Sequence, residues 1–199
     1  LKDSGIPWLG EVPEHWEVKR LKHLSEFVTS GSRGWAEHYA DEGAVFIRIG
    51  NLHRSRIDLR LDEIQHVDPP QTAEVVRTKA LPNDLLISIT AFLGTVGIVP
   101  KDLGEAYVNQ QTALVRPDHR LCFSRFVAYW LSSSIAQQQF RAASQGGTKE
   151  GMNLQEVRDL IIIQPEVDQQ RLISEKLDAE LSVLDTLVAK AEIAVERLH

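Results

Sequence analysis

The chain has 199 residues, 43% hydrophobic and 25% charged, with a formal charge of −6; this is the balance of one medium-sized folded domain with room for an appended element, not of a uniformly basic nucleic-acid binder. No apolar run approaches the length that spans a membrane, and the opening LKDSGIPWLGEVPEHW lacks the apolar core of a secretory leader. The single cysteine, Cys122, excludes an internal disulfide and a Cys-rich metal site, and a reducing, cytoplasmic setting is the simplest expectation.

Residues 4–18 hold two prolines and two tryptophans without periodicity, and read as an extended segment pinned to the body by Trp8 and Trp16. KRLKHLSEFV (19–28) places Leu21, Leu24, Phe27 and Val28 at helical spacing and predicts a short amphipathic helix. Thr29 to Trp35 is a polar, glycine-punctuated loop, and AVFIRIGNL (44–52) reads as a strand ending at Gly50 and Asn51. Short irregular pieces are expected over 53–83, where charge mixes with Pro69, Pro70 and Pro82. Leu85–Ile89, Thr95–Val99, Tyr107–Val108 and Thr112–Arg116 are short strands parted by turn signals, which predicts a strongly curved, mainly β body.

From Ser124 the pattern turns helical. Phe126, Val127, Trp130, Leu131, Ile135 and Phe140 can share one broad face, with Ser124 as N-cap. Asn153, three residues before Glu156, signals a capping box, and Leu160–Ile163 reads as a short strand. Pro165 then sets off a last helix in which Leu177, Leu181, Leu184, Val188, Ala191, Val195 and Leu198 recur in steps of 4, 3, 4, 3, 4 and 3. That repeat keeps one seam facing a partner helix, over about 33 Å at about 1.5 Å per residue. The expected fold is α+β: a mainly β domain over 1–165 and a coiled-coil spacer or dimerisation helix over 166–199.

Charge is unevenly placed. The last segment, 166–199, has a net charge of −4, leaving only −2 on the remainder. Arg48, Arg54, Arg56 and Arg60 gather with His53 against Asp58 alone, and Arg116, His119, Arg120 and Arg125 form a second local excess. Basic loops on a near-neutral body can contact phosphate because screening favours local over total charge; scattered surface arginines would look the same.

Catalytic signatures are missing. No phosphate-binding GxxxxGK[ST] loop, HExxH or GxSxG occurs, and the seven histidines have no partner at a ligand-pair spacing. Gly94 to Gly97 reads as a tight β-turn. Other stretches look like readers of a ligand. Asn109, Gln110 and Gln111 offer amides that can pair with adenine edges, or else form a polar strand edge. Ser32, Arg33 and Trp35 sit on a loop that either reaches a ligand or tucks the tryptophan inward. Gly146 to Lys149 offers backbone N–H groups and an ammonium, or a hinge. A binder is favoured over an enzyme.

The ordered series PWLGEVPEHWEVKRLKHL, TSGSR, FIRIGNL, DLLISITAFLGTVGIV, NQQTALVRP, GGTKEGMNLQEVRDLIIIQP and QQRLISEKLDAELSVLDTLV resembles the DNA-specificity (S) subunit of Type I restriction–modification enzymes over nearly the whole chain. The resemblance implies a target recognition domain that reads one half of a split double-stranded DNA sequence, and a helix that acts as spacer and docking surface for the modification (methyltransferase) subunit, with a restriction subunit completing the complex. It implies that methyl transfer and cleavage, with their S-adenosylmethionine, Mg and ATP, belong to those partners, and no cofactor or metal to this chain. A full S subunit has two recognition domains and two helices where this chain has one of each, so it is a fragment or a half-length subunit. A homodimer through the C-terminal helices, antiparallel by the resemblance, is expected. The competing expectation is a protein-interaction scaffold that dimerises through the coiled coil without DNA. Candidate DNA-contacting residues are Ser32, Arg33, Trp35, Arg48, Asn51, Arg54, Thr90, Asn109, Gln110, Gln111, Thr148 and Lys149.

Overall fold

The structure is a computed structural model that describes residues 1–145 and 151–196. Its strands are β1 (Lys2–Asp3), β2 (Glu11–Val12), β3 (Glu17–Arg20), β4 (Ser25–Ser30), β5 (Tyr39–Ala40), β6 (Ala44–Ile47), β7 (Gln65–Val67), β8 (Lys79–Ala80), β9 (Leu85–Ser88), β10 (Val96–Ile98), β11 (Ala106–Val108), β12 (Thr112–Pro117) and β13 (Ile161–Gln164). The α-helices are α1 (Ala73–Thr78), α2 (Ser124–Ser132), α3 (Gln137–Gln145), α4 (Leu154–Arg158) and α5 (Val167–Glu196). The chain is therefore α+β, with a body dominated by sheet and a long C-terminal helix.

An antiparallel sheet ordered β10-β9-β12-β4 lies at the centre. Its apolar runs are continuous because both faces are covered. Leu85 and Ile87 point to one side, into the core beneath α2 with Phe126, Val127 and Leu131. Leu86 points to the other side, among Val45, Ile47 and Val108 of a second sheet. That sheet is ordered β5-β7-β6-β11-β8, with β6 and β11 parallel. Its outer face carries Ala44, Phe46 and Tyr107, packed with Trp35.

Three local expectations need correction. The helix expected over 19–28 is instead β3, a 3-10 turn at Leu21–His23 and β4. Leu21 and Leu24 are both buried, three apart, as one 3-10 turn requires. Phe27 and Val28 then fall on opposite faces of β4, Phe27 against the second-sheet core and Val28 under the helices. A strand buried on both faces thus imitates the spacing of a helix.

The strand expected over 44–52 stops at Ile47, and Ile49–Asn51 forms a 3-10 turn. The single helix expected from Ser124 to Phe140 is two, and its N-cap is Phe123, with Ser124 already helical. Ser133 is extended, and its hydroxyl accepts the Ala136 N–H at 3.2 Å, the local competition by which serine ends helices. Ile135 is left exposed by the break. The capping box stands: Glu156 N–H donates to Asn153 Oδ1 at 2.9 Å and Asn153 N–H to Glu156 Oε2 at 2.6 Å.

Helix α5 starts docked. Gln170 is buried, accepting the Phe123 N–H at 2.8 Å and donating to Pro165 O at 2.7 Å. Two turns on, Asp178 meets Arg125 and Tyr129 of α2, and Asp185 is paired with Arg56. Beyond Asp185 the apolar residues face solvent, with Leu187 and Val195 each 55% exposed. Leu177 and Leu181 of the seam are half-buried, Leu184, Val188, Ala191 and Val195 are exposed, and Leu198 lies outside the described residues. No helix among the described residues is long and apolar enough to cross a membrane.

Candidate nucleic-acid interface

Four chain segments leave the sheets at one rim. β4 ends at Ser30, β6 at Ile47, β9 at Ser88 and β11 at Val108, and the pairings bring these ends together. Ser32 bridges Asn109, the Asn109 N–H donates to Ile47 O at 3.1 Å, and the Ile89 N–H donates to Gln111 O at 3.0 Å. Gly31 makes the crossing possible. A Cβ there would overlap the Val108 carbonyl oxygen and the Asn109 backbone, so no side chain fits.

The rim holds three adjoining recesses. The first, about 590 Å³, is lined by Trp35, Arg48, Asn51, Arg60, Asn109, Gln110 and Gln111 among others. The second, about 700 Å³, shares Gln110 and Gln111 and adds Ser30, Gly31, Ser32, Arg33 and Thr90. The third, about 290 Å³, shares Gly50 and Arg60 with the first and adds His53, Arg54 and Phe92. Every candidate residue within the described part of the chain therefore lines one continuous surface. Thr148 and Lys149 lie outside the described residues. The chain re-emerges from that stretch beside the rim, where the Met152 N–H donates to Ile89 O at 2.8 Å and Gly151 packs on Thr90.

Their chemical roles differ. Asn51 is buried and its amide is bound internally: it accepts the Arg48 N–H at 2.9 Å and donates to Arg60 O at 2.9 Å and Glu63 O at 3.0 Å. It shapes the loop that carries the arginines. Asn109 is likewise a turn organiser, accepting the Thr112 hydroxyl at 3.0 Å and the Gln111 N–H at 3.3 Å. Trp35 is a buried floor, stacked on Phe46 with ring centroids 5.0 Å apart. Ser32 has a buried hydroxyl with no hydrogen-bond partner among the described residues. Arg33, Arg54, Thr90 and Gln110 are exposed, Arg48 and Gln111 half-buried, and these six can present charge and hydrogen-bonding groups outward.

The two basic clusters part company. In the first, Arg56 is turned to Asp185 on α5, while Arg54 and Arg60 line the rim, Arg60 only loosely paired with Asp62 at 3.5 Å. The second is spent on internal ion pairs. Arg116 grips Asp84 at 2.7 Å, Arg120 grips Asp118 at 2.7 Å, and Arg125 grips Asp178. Burial raises the Asp84 carboxyl more than Arg116 lowers it, whereas the Arg120 bonds hold the Asp118 carboxyl down at about 2. No three His, Cys, Asp or Glu side chains among the described residues gather as metal ligands.

Residues 13–197 match the Type I restriction modification DNA specificity domain. The chain belongs to that family. The curated relatives it matches are specificity subunits of Type I restriction enzymes. This specificity domain is 20% identical over 190 residues to the Type I restriction enzyme EcoBI specificity subunit of Escherichia coli, covering 94% of the chain and 40% of that protein. It is 26% identical over 196 residues to the EcoKI specificity subunit of E. coli strain K12, covering 92% and 40%. Its fold matches the crystal structure of the HsdS subunit from Thermoanaerobacter tengcongensis with a TM-score of 0.64 at 19% identity, over 89% of this chain and 40% of that one. The domain thus spans about 40% of the length of these relatives.

Sequence reasoning singled out Arg60 only as part of a basic cluster, and missed Gly31 and Phe92. Gly31 had a readable signal, a glycine between polar residues at a strand end. Phe92 had a weaker one, an aromatic two residues before the glycine of a turn.

Proposed function

We propose that residues 1–165 read one half of a bipartite double-stranded DNA target, and that 166–199 form a spacer helix. The observation that carries this is the convergence of Ser32, Arg33, Arg48, Arg54, Thr90, Gln110 and Gln111 on one surface built from four strand ends. Arginines supply phosphate attraction there despite the acidic total, and the amides and hydroxyls supply base-edge bonds.

The spacer acts twice in this reading. Its first turns, fixed by Gln170 and Asp178, set the direction in which α5 leaves the domain. Its distal apolar residues, exposed here, pair with a second helix. In a half-length subunit that helix belongs to a second copy, antiparallel, so that two rims read a palindromic split site. The same helices dock the modification and restriction subunits, which carry S-adenosylmethionine, Mg and ATP.

Genome-wide methylation mapping tests this in a host that supplies the partner subunits. Changing Gln110 and Gln111 to Ala should alter or relax one half-site while leaving methylation otherwise intact. An unchanged methylation pattern from these rim variants would refute the assignment.

A further inference from the structure

Phe92 stands apart from the other aromatic residues near the rim. It is 55% exposed, and it is one of two non-glycine residues among those described with a positive φ, at +52°. A left-handed conformation strains a residue with a Cβ, and it persists only where surrounding bonds impose it. Here they do: the Phe92 carbonyl accepts the Ser88 hydroxyl, the Thr95 N–H at 3.1 Å and the Thr95 hydroxyl at 2.8 Å. Gly94 follows at φ +80°, closed against the Phe140 ring. The turn is held from four sides, and its outcome is to lift one phenyl ring out of the body.

Arg54 lies over that ring, its guanidinium carbon 3.6 Å from the ring centroid. A phenyl face attracts a cation and fixes the guanidinium plane. Both residues line the third recess with His53, Arg60 and Thr95, continuous with the rim. An unrestrained arginine is a phosphate anchor indifferent to sequence. One whose plane is fixed can give two parallel N–H bonds to the O6 and N7 of guanine in the major groove.

We infer that Arg54 is a guanine-reading residue and that Phe92 is the positioning residue that holds its guanidinium plane for that contact. This rests on the DNA-recognition role proposed above. Phe92 does not itself touch a base, and the strain of its turn is retained because the ring must stand where Arg54 can lie on it.

The test uses the full chain and a duplex it selects from a random-sequence pool, with that duplex altered one base pair at a time. Arg54→Lys keeps the charge but loses the planar fork, and should lose about 5- to 150-fold discrimination at one G·C pair. Phe92→Gly removes the ring and relieves the backbone, so it should fold at least as stably as the wild type while losing discrimination at that same pair. Phe92→Tyr keeps a π face and should restore it. If Arg54→Lys retains full discrimination at every pair, or Phe92→Gly and Arg54→Lys affect different pairs, the inference is wrong. If the wild-type chain selects no sequence at all, the recognition role itself fails instead.

Discussion

Arg125 Nε on α2 lies 2.8 Å from Oδ1 and 2.7 Å from Oδ2 of Asp178 on α5, and the Tyr129 hydroxyl donates to the same carboxylate. Arg125 also reaches Asp58 at 3.2 Å, so one guanidinium ties the helix, the body and the loop that leads to Arg60. Asp178→Ala should loosen α5 from its third turn onward. About 1 kcal/mol of stability is expected to be lost, because the pair is a third exposed and solvent screens it. Hydrogen exchange should quicken over 178–185 and hardly change around Gln170. Unchanged exchange over 178–185 would show that the tether is not what holds the helix.

The same pair sets a pH window. Burial pushes the Asp178 carboxyl up, but the bonds from Arg125 and Tyr129 outweigh it and hold it below its ordinary value. A depressed carboxylate contributes its full stability above the ordinary value near about 4, and loses it as pH falls through the lower folded value. Tyr129, pushed up to about 12 by burial and by Asp178, remains a donor throughout the neutral range. The stability gap between wild type and Asp178→Asn should be flat from about pH 6 to 8 and close below about pH 4. Urea midpoints across that range measure it, and a gap that varies near pH 7 would contradict the assignment.

Gly31→Ala should be costly. The added methyl group meets backbone, not a flexible side chain, at the point where β4 crosses the exit of β11. A loss of more than about 2 kcal/mol is expected from urea unfolding. Gly104→Ala, where a Cβ meets nothing but φ is +79°, should lose less. A Gly31→Ala variant as stable as wild type would mean that the crossing is looser than described.

Cys122 is 1% exposed, and burial pushes its thiol up to about 12. Alkylation by iodoacetamide at pH 8 should therefore be slow in the folded chain and fast in urea. Rapid labelling of the native chain would contradict the burial of Cys122 against the Leu24 and Asp118 carbonyls.

Leu184 and Val188 are each 54% exposed, so changing both to Asp should leave the folded domain intact. If α5 pairs with a second copy, the double variant should sediment as a monomer where the wild type is a dimer. Each covered side chain would otherwise contribute roughly 1.5–3 kcal/mol. A wild-type chain that is monomeric at tens of micromolar would remove the homodimer from the account.

What could be read from sequence followed from how local each signal is. Pro165 and the seven-residue repeat announced α5, and Asn153 with Glu156 announced its own cap, because those rules act within a turn or two. Leu85–Ile87 was legible as a strand from its apolar run alone. The segment 19–28 misled because Phe27 and Val28 are buried on opposite faces by partners far away in sequence. Asn51 and Asn109 looked like readers because an amide carries no mark of whether the chain itself will occupy it. Phe92 was overlooked because its exposure depends on a left-handed turn fixed by Ser88 and Thr95.

The most direct test of the rim as a DNA-binding surface is the salt dependence of DNA affinity, measured by fluorescence anisotropy on one duplex. Affinity of the wild-type chain should fall linearly with the logarithm of salt concentration, and Arg33→Ala should reduce that slope by about 1. Arg120→Ala, which removes a cation already paired with Asp118, should leave the slope unchanged. Equal slopes for wild type and Arg33→Ala, with a reduced slope for Arg120→Ala, would place the DNA elsewhere and contradict the account.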